Sequence, residues 1–235
     1  MLTDFPKIEC PFVRKLFKVN KEDFINYGRE LQLREPEVYL VTNEINPGYE
    51  WVFNDPDTIA VEKLNGTNVK LKTENGRLQE LQNRKNVIDP LQILKGKAFI
   101  IEGIFMAIQK GYVADNLEQA GEIIGPKLQG NPYFLDNHIW YPFTKAINHL
   151  RYKSFHDYPV TFENLNAWFK CHLKSLLHAK KVDYNDAVFA EGVIFYNLKR
   201  KAAGQTYMAK LRRDMFDWYY EDKIAIYKDV DCLLQ

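Results

Sequence analysis

The sequence predicts an α+β fold built from mainly antiparallel sheets with flanking helices, and three observations carry that prediction. Short runs rich in β-branched and aromatic residues outnumber the segments with helical periodicity. Turn-forming Asn, Asp, Pro and Gly fall between those runs, where strands must reverse. Only two stretches repeat apolar residues at the 3.6-residue period of a buried helix face.

Taken in order, Phe12-Val13-Arg14-Lys15-Leu16-Phe17, Val38-Tyr39-Leu40-Val41 and Tyr49-Glu50-Trp51-Val52-Phe53 read as strands. Pro36, Asn46-Pro47-Gly48 and Asn54-Asp55-Pro56-Asp57 break them. The apolar run Thr58-Ile59-Ala60-Val61 and the alternating run Val69-Lys70-Leu71-Lys72 add two strands around a polar, glycine-containing connection. Between Leu91 and Tyr112, Leu94, Ile100, Ile101, Ile104, Phe105 and Ile108 predict a helix, at least over 97–110. Leu165, Trp168, Phe169, Leu173, Leu176 and Leu177 predict another over 162–180. Strands at 188–196 and 206–211 flank Arg200-Lys201-Ala202-Ala203-Gly204-Gln205 and predict a hairpin. With no internal repeat or low-complexity stretch, a single domain is expected over 1–235. It divides into a strand-rich part at 1–57, a motif-bearing core at 58–216 and a tail at 217–235.

Charge and cysteine content exclude several classes. Lys and Arg total 32 against 31 Asp and Glu, so bulk positive charge is not the means of binding nucleic acid, and any such contact needs a local patch. Cys10, Cys171 and Cys232 are far apart and odd in number, which fits a reduced protein better than a disulfide framework or zinc site. Five histidines show no metal-ligand spacing. No leader and no membrane-spanning run is evident, so a cytoplasmic, monomeric protein without a membrane partner is expected.

Chemistry concentrates at Val61-Glu62-Lys63-Leu64-Asn65-Gly66-Thr67-Asn68, which puts a lysine at a strand end facing a glycine turn. A lysine there can attack the α-phosphorus of a nucleotide, because glycine lets backbone approach phosphate closely. The plain alternative is a surface hairpin, since Asn-Gly is also a strong two-residue turn signal. Possible partners lie downstream. Arg84 sits in a polar turn after a strand, where a guanidinium can clamp phosphate bidentately. Glu122 lies within a short apolar strand that ends at Gly125-Pro126, where a carboxylate can accept hydrogen bonds from a ribose diol. Glu191 is an anion among apolar neighbours, costly to bury without a compensating cation such as a divalent metal. Lys210 and Arg212 alternate along a strand and so share one face, two cations suited to a triphosphate.

In that order, Lys63-Leu64-Asn65-Gly66, Glu122-Ile123-Ile124-Gly125, Glu191-Gly192-Val193-Ile194 and Lys210-Leu211-Arg212 resemble the covalent nucleotidyltransferases, the polynucleotide ligases and mRNA capping enzymes. RNA ligases are the nearer match. Glu62-Lys63-Leu64-Asn65-Gly66-Thr67-Asn68 looks like the RNA ligase 2-like nucleophile motif. Ile124-Gly125-Pro126-Lys127-Leu128-Gln129-Gly130-Asn131-Pro132 and Ala209-Lys210-Leu211-Arg212-Arg213-Asp214-Met215-Phe216 are similar to small single-domain RNA ligases of phage and bacterial type. The likeness covers about residues 45 to 216.

The resemblance implies an adenylation domain with an ATP-grasp-like ligase core, and an ATP-dependent RNA ligase that joins 5′-phosphate to 3′-hydroxyl ends. Lys63 is then the catalytic residue, carrying AMP covalently. Arg84 contacts the nucleotide phosphate and the 5′-phosphate end, Glu122 the ribose, and Lys210 the α-phosphate, with Arg212 beside it. Glu191 supports the divalent metal, magnesium or manganese, and Asn68 orders water around that ion. Glu62, next to the nucleophile, joins the nucleotide-binding set. Trp140 is favoured for stacking on adenine, with Tyr141 and Phe143 as competitors. Glu102, in Phe99-Ile100-Ile101-Glu102-Gly103, is set aside for Glu122 because it precedes a helical pattern. Asn65 stands where many relatives have Asp or His, and Arg212 where a second lysine is common, so the later steps are less certain to survive than adenylation. ATP and RNA ends, or RNA/DNA hybrids, are the implied partners. A DNA-nick ligase, a guanylyltransferase, or a non-catalytic nucleotide- or RNA-binding relative are the alternatives. The 25 residues Leu211 to Gln235 are too few for an oligonucleotide-binding (OB) barrel domain, so none is expected. His149-Leu150-Arg151-Tyr152-Lys153-Ser154-Phe155-His156 is then a candidate grip on the strand, or an amphipathic element with Leu150 and Phe155 in the core.

Overall fold

A computed structural model describes residues 7–84, 86–89, 96–200 and 207–227, and its elements are mixed α and β with every strand pair antiparallel among those registered. In chain order they are β1 (Phe12–Val19), α1 (Lys21–Tyr27), β2 (Glu37–Ile45), α2 (Trp51–Asn54), β3 (Thr58–Lys63), β4 (Thr67–Glu74), β5 (Arg77–Asn83) and β6 (Asn86–Val87). Then come α3 (Ala98–Gln109), β7 (Glu118–Ile124), β8 (Ile139–Pro142), α4 (Phe143–His149), α5 (Phe162–Cys171), β9 (Gly192–Asn197), β10 (Met208–Arg212) and β11 (Ile226–Tyr227). In place of the consecutive stretches 1–57, 58–216 and 217–235, the chain folds as two compact units, each assembled from separated segments. One takes Val61–Tyr152 and Lys174–Ala190. The other takes Ile8–Ala60, Lys153–Leu173 and the described residues from Glu191 on.

The first unit is organised by a five-stranded sheet in the order β6-β5-β4-β7-β8. Side chains alternate across a strand, so Val69 and Leu71 of β4, Leu81 of β5, Ile123 of β7 and Trp140 of β8 share one face. Ile100, Ile104 and Ala107 repeat at helical spacing along α3 and bury against that face. Ile100 and Ile104, withdrawn from water, each stabilise the unit by about 1.5–3 kcal/mol. Close approach is possible because Gly103 presents no Cβ: one added there would lie 3.0 Å from Ile123 Cδ1. The helix predicted over 97–110 is therefore present almost in full. A helix against one sheet buries one face only, and Phe105 and Ile108 remain exposed.

In the second unit, β1 lies between β11 and β2, and Val19, Val38 and Leu40 form a core with Tyr220 and Ile224. Asn20 starts α1: its side chain accepts hydrogen bonds from the backbone N–H of Glu22 at 2.8 Å and Asp23 at 3.4 Å. Asn20→Ala should cost about 1 kcal/mol of unfolding free energy, read from urea titration, as removal of such a cap usually does. On α5, Leu165 and Phe169 are buried, and Phe169 meets Phe216 with ring centroids 5.4 Å apart. Another sheet has the order β10-β9-β3.

Three predicted elements differ. Residues 49–53 form no strand; Val52 and Phe53 donate to the carbonyls of Tyr49 and Glu50, and the segment turns into the short α2 with Trp51 and Val52 buried. A short apolar run does not distinguish the two states by pattern alone. The helix predicted over 162–180 stops at Cys171, where the N–H groups of His172 and Leu173 both close on the Trp168 carbonyl. Beyond it Lys174 bridges Phe189, and Ser175 N–H donates to Val188 O at 2.8 Å, so tertiary pairing takes residues that periodicity assigned to the helix. The predicted hairpin is present as β9 and β10, with Lys210 opposite Ile194, but Val188 and Phe189 belong to that bridge instead. The connection at 201–206, Lys85, Leu94, the N-terminal residues 1–6, Cys232 and the tail from 228 lie outside the described residues. Of the other cysteines, Cys10 is buried and Cys171 exposed, both as free thiols. Among the described residues no helix is long and apolar enough to cross a membrane.

Candidate active site

Lys63 closes β3, and Thr67 opens β4, but these strands belong to different sheets. The Asn65-Gly66 turn is thus not the tip of a hairpin. It is pressed onto β7: a Cβ on Gly66 would lie 2.1 Å from the Ile123 carbonyl oxygen, so only glycine fits. Asn65 N–H donates to the Tyr133 hydroxyl at 2.7 Å, and Leu64 is buried. Lys63 itself is half-buried, its Nζ 3.5 Å from Leu64 O.

Alternation along β3 sends Glu62 to the side opposite Lys63. Its carboxylate is 2% exposed, receiving the Ser175 hydroxyl at 2.5 Å and the Leu177 N–H at 2.9 Å. Burial pushes the Glu62 carboxyl up to about 7, with the Ser175 and Leu177 hydrogen bonds and Lys180 acting in the opposite direction. Both oxygens are occupied by the protein. The expectation that Glu62 contacts the nucleotide is corrected: it anchors the strand that ends in Lys63.

Register assembles the next group. Asn68 on β4 pairs with Glu122 on β7, and Glu122 pairs with Tyr141 on β8, so these three form one row on the sheet face away from α3. Asn68 Oδ1 and the Tyr141 hydroxyl are sealed from solvent and make no hydrogen bond. Leaving a buried polar atom unmet costs about 1–3 kcal/mol, the kind of cost that a bound polar ligand relieves. Burial, with Tyr112 and Glu62 nearby, pushes the Tyr141 phenol up to about 12, so it keeps its proton as a donor. The Tyr112 ring meets Tyr141 edge-on at 5.9 Å, and Lys145 Nζ sits 4.1 Å from the Tyr112 centroid.

Trp140, favoured for adenine, is on the wrong face. It is 0% exposed within the α3 core, and its indole N–H donates to Val69 O at 3.1 Å. No ring surface remains for a base; Tyr141 shares the face of Glu122, and at 4% exposed it turns its hydroxyl rather than an open ring toward that face. The signal that could have chosen Tyr141 is the β7–β8 register, which alternation within one strand does not supply. Glu102 lies on α3, where its carboxylate takes the His138 N–H at 3.2 Å and meets His138 Nδ1 at 2.8 Å; the His138 hydrogen bond holds the Glu102 carboxyl below its ordinary value. Arg84 stands exposed in the turn after β5 with a left-handed backbone, φ 53°.

The second unit holds the remaining candidates. Lys210 and Arg212 alternate with the buried Ala209 and Leu211, so both project from the same face of β10. Glu191 lies in the bend just before β9 rather than within a strand, and its carbonyl accepts from Arg213 N–H at 3.0 Å. Arg212 Nη1 lies 3.9 Å from Glu191 Oε1, and Nη2 lies 3.1 Å from Asp214 Oδ2, a partner not anticipated from sequence. Gly192 permits this packing, since a Cβ there would meet Leu211 O at 2.2 Å. Among the described residues no three His, Cys, Asp or Glu side chains are grouped to hold a metal. A single carboxylate fits a magnesium-type ion that arrives with phosphate oxygens and water as its other ligands, not one caged by protein.

Of the basic and aromatic segment 149–156, Leu150, Tyr152 and Phe155 are core residues, and the Tyr152 hydroxyl donates to Lys174 O at 2.9 Å. It is scaffold.

No family model and no curated protein matches the sequence. The chain is similar in structure to Naegleria gruberi RNA ligase. Against that ligase with PPi, identity is 17% over 70% of this chain and 51% of the other, at a TM-score of 0.44. Against a mutant of it with ATP and Mn, identity is 15% over 93% of this chain and 63% of the other, at a TM-score of 0.45. The chain spans about half the length of the first of these.

Proposed function

We propose that this chain is an ATP-dependent RNA ligase, sealing 5′-phosphate to 3′-hydroxyl ends through a lysyl-AMP intermediate. One observation carries the reading: Asn68 and Glu122, drawn from motifs more than fifty residues apart, are direct register partners beside the turn that follows Lys63, in a row containing two unmet buried polar atoms. A sheet face of that kind is suited to a ribose and a base.

The neutral Lys63 amine attacks the α-phosphorus of ATP, forming a P–N bond while the bond to pyrophosphate breaks and the amine loses a proton. A 5′-phosphate oxygen then displaces the lysine to take AMP, and a 3′-hydroxyl displaces AMP from that end. Glu122 accepts from the ribose hydroxyls, Asn68 orders water beside the phosphates, and Tyr141 lines the base. Lys210 and Arg212 are assigned to the phosphates, and Arg84 to the phosphate of the RNA end. A divalent ion, magnesium or manganese, supported by Glu191, would neutralise charge on phosphoryl oxygens.

Incubation with α-labelled ATP, α-labelled GTP, and 5′-phosphorylated RNA, DNA and hybrid ends tests the reading. An adduct from ATP and sealing of RNA are expected. An adduct from GTP alone, preferential sealing of DNA nicks, or nucleotide binding without an adduct would each replace it. The Tyr141 assignment has its own measurement: Tyr141→Phe should weaken ATP binding about fivefold, the loss expected for one hydrogen bond from its otherwise unmet hydroxyl. Trp140→Phe should leave ATP affinity unchanged while lowering unfolding stability by about 1 kcal/mol for the lost indole hydrogen bond.

A further inference from the structure

The segment between β7 and β8, residues 125–138, is unusual in its backbone. Lys127, Gln129, Asn131 and Phe134 all have positive φ, between 48° and 64°, a conformation that costs a non-glycine residue about 1–2 kcal/mol. Such strain persists only where surrounding contacts over-determine it. Here they do. The Asn131 side chain donates to Leu135 O at 2.9 Å and accepts from Leu135 N–H at 3.1 Å. Lys181 Nζ donates to Phe134 O at 3.0 Å. At the far end, the His138 ring is held between the Glu102 carboxylate and the Pro126 carbonyl. Gly125 is the pivot, φ 138°, where a Cβ would lie 2.7 Å from His138 Cα.

Within this braced segment lies one buried phenol. Tyr133 is 2% exposed, and its hydroxyl oxygen accepts the Asn65 N–H at 2.7 Å. Asn65 is two residues beyond Lys63, in a turn whose other side is seated on the Ile123 carbonyl at Gly66. We propose that the strained 125–138 segment is a preset strap, and that Tyr133 is a positioning residue which fixes the turn behind Lys63 and so aims its amine. This rests on the ligase reading for its kinetic consequence and on the Asn65 contact alone for its structural one.

The test is Tyr133→Phe, which removes the acceptor and keeps the ring, compared with wild type and with Tyr196→Phe, a buried phenol of the second unit. Single-turnover adenylation should slow about tenfold in Tyr133→Phe with ATP affinity within about twofold of wild type, since misaiming a nucleophile costs rate rather than ground-state binding. Hydrogen exchange at the Asn65 amide should quicken in the same variant. Tyr196→Phe should change neither. Equal rates and equal exchange in Tyr133→Phe and wild type overturn the proposal, as does a loss of ATP affinity in step with the rate. If the wild-type chain forms no adduct, the ligase reading falls by itself. The Asn65 exchange then still decides whether Tyr133 holds the turn.

Discussion

Lys63→Ala is expected to remove covalent labelling by α-labelled ATP entirely, rather than slow it, because the proposed mechanism makes the labelled bond to the lysine nitrogen itself. The wild-type adduct should be lost in acid and survive alkali, as a phosphoramidate does and an ester does not. The next lysine in sequence is already engaged. Lys70, the next lysine along the chain, is 8% exposed, and its Nζ lies 3.4 Å from Glu118 Oε1. Lys63 is half-buried at a strand end, so its truncation should cost less than about 1 kcal/mol of stability, and the melting temperature provides the control for folding. Noncovalent ATP binding should persist, since Glu122, Asn68 and Tyr141 are untouched. Persistent labelling of Lys63→Ala at the wild-type level would place the nucleophile elsewhere and remove the basis of the proposed function.

The second large effect is a pH dependence of stability centred on Glu62. Its carboxyl is raised by burial from an ordinary 4.5 to about 7. The folded chain therefore binds a proton here that the unfolded chain has already released, and stability falls as pH rises. The contribution is fully present below about pH 4.5 and is lost by the time pH passes through about 7, a loss of roughly 3 kcal/mol for a shift of this size. Glu62→Gln keeps the shape and hydrogen-bonding reach toward Ser175 and Leu177 without the ionisation. Urea unfolding of the variant from about pH 5 to 8 should lack this downward component, and above pH 7 the variant should be the more stable of the two. Identical slopes for the two proteins would mean that the buried carboxylate does not exchange its proton on folding.

How much was legible beforehand can be argued from particular residues. The strands at 12–17, 38–41, 58–61 and 69–72 and the helix at 97–110 were legible, because period and turn residues act locally. The strand expected at 49–53 and the far half of the helix at 162–180 were not. The first gave way to local turn hydrogen bonds to Tyr49 and Glu50, which a short apolar run does not distinguish from a strand, and the second to pairing with Val188 and Phe189, partners that a local pattern does not name. Glu102 lies within α3, as the helical pattern around it indicated. The preference for Trp140 over Tyr141 went the other way, since one residue of register exchanges a buried face for a polar one.

What the sequence determined by itself is the chemical inventory: a lysine before Leu-Asn-Gly, carboxylates at 122 and 191, cations at 84, 210 and 212, and the short-range periodicities that make strands and helices around them. Only the tertiary structure decided that Glu62 is withdrawn from solvent, that Asn68, Glu122 and Tyr141 stand in one row, and that the Tyr133 hydroxyl accepts the Asn65 N–H. The reason is physical. Side-chain type and local period travel with the chain, whereas burial and register depend on which distant backbone pairs with which, and a shift of one residue turns a core side chain to the opposite face of the sheet.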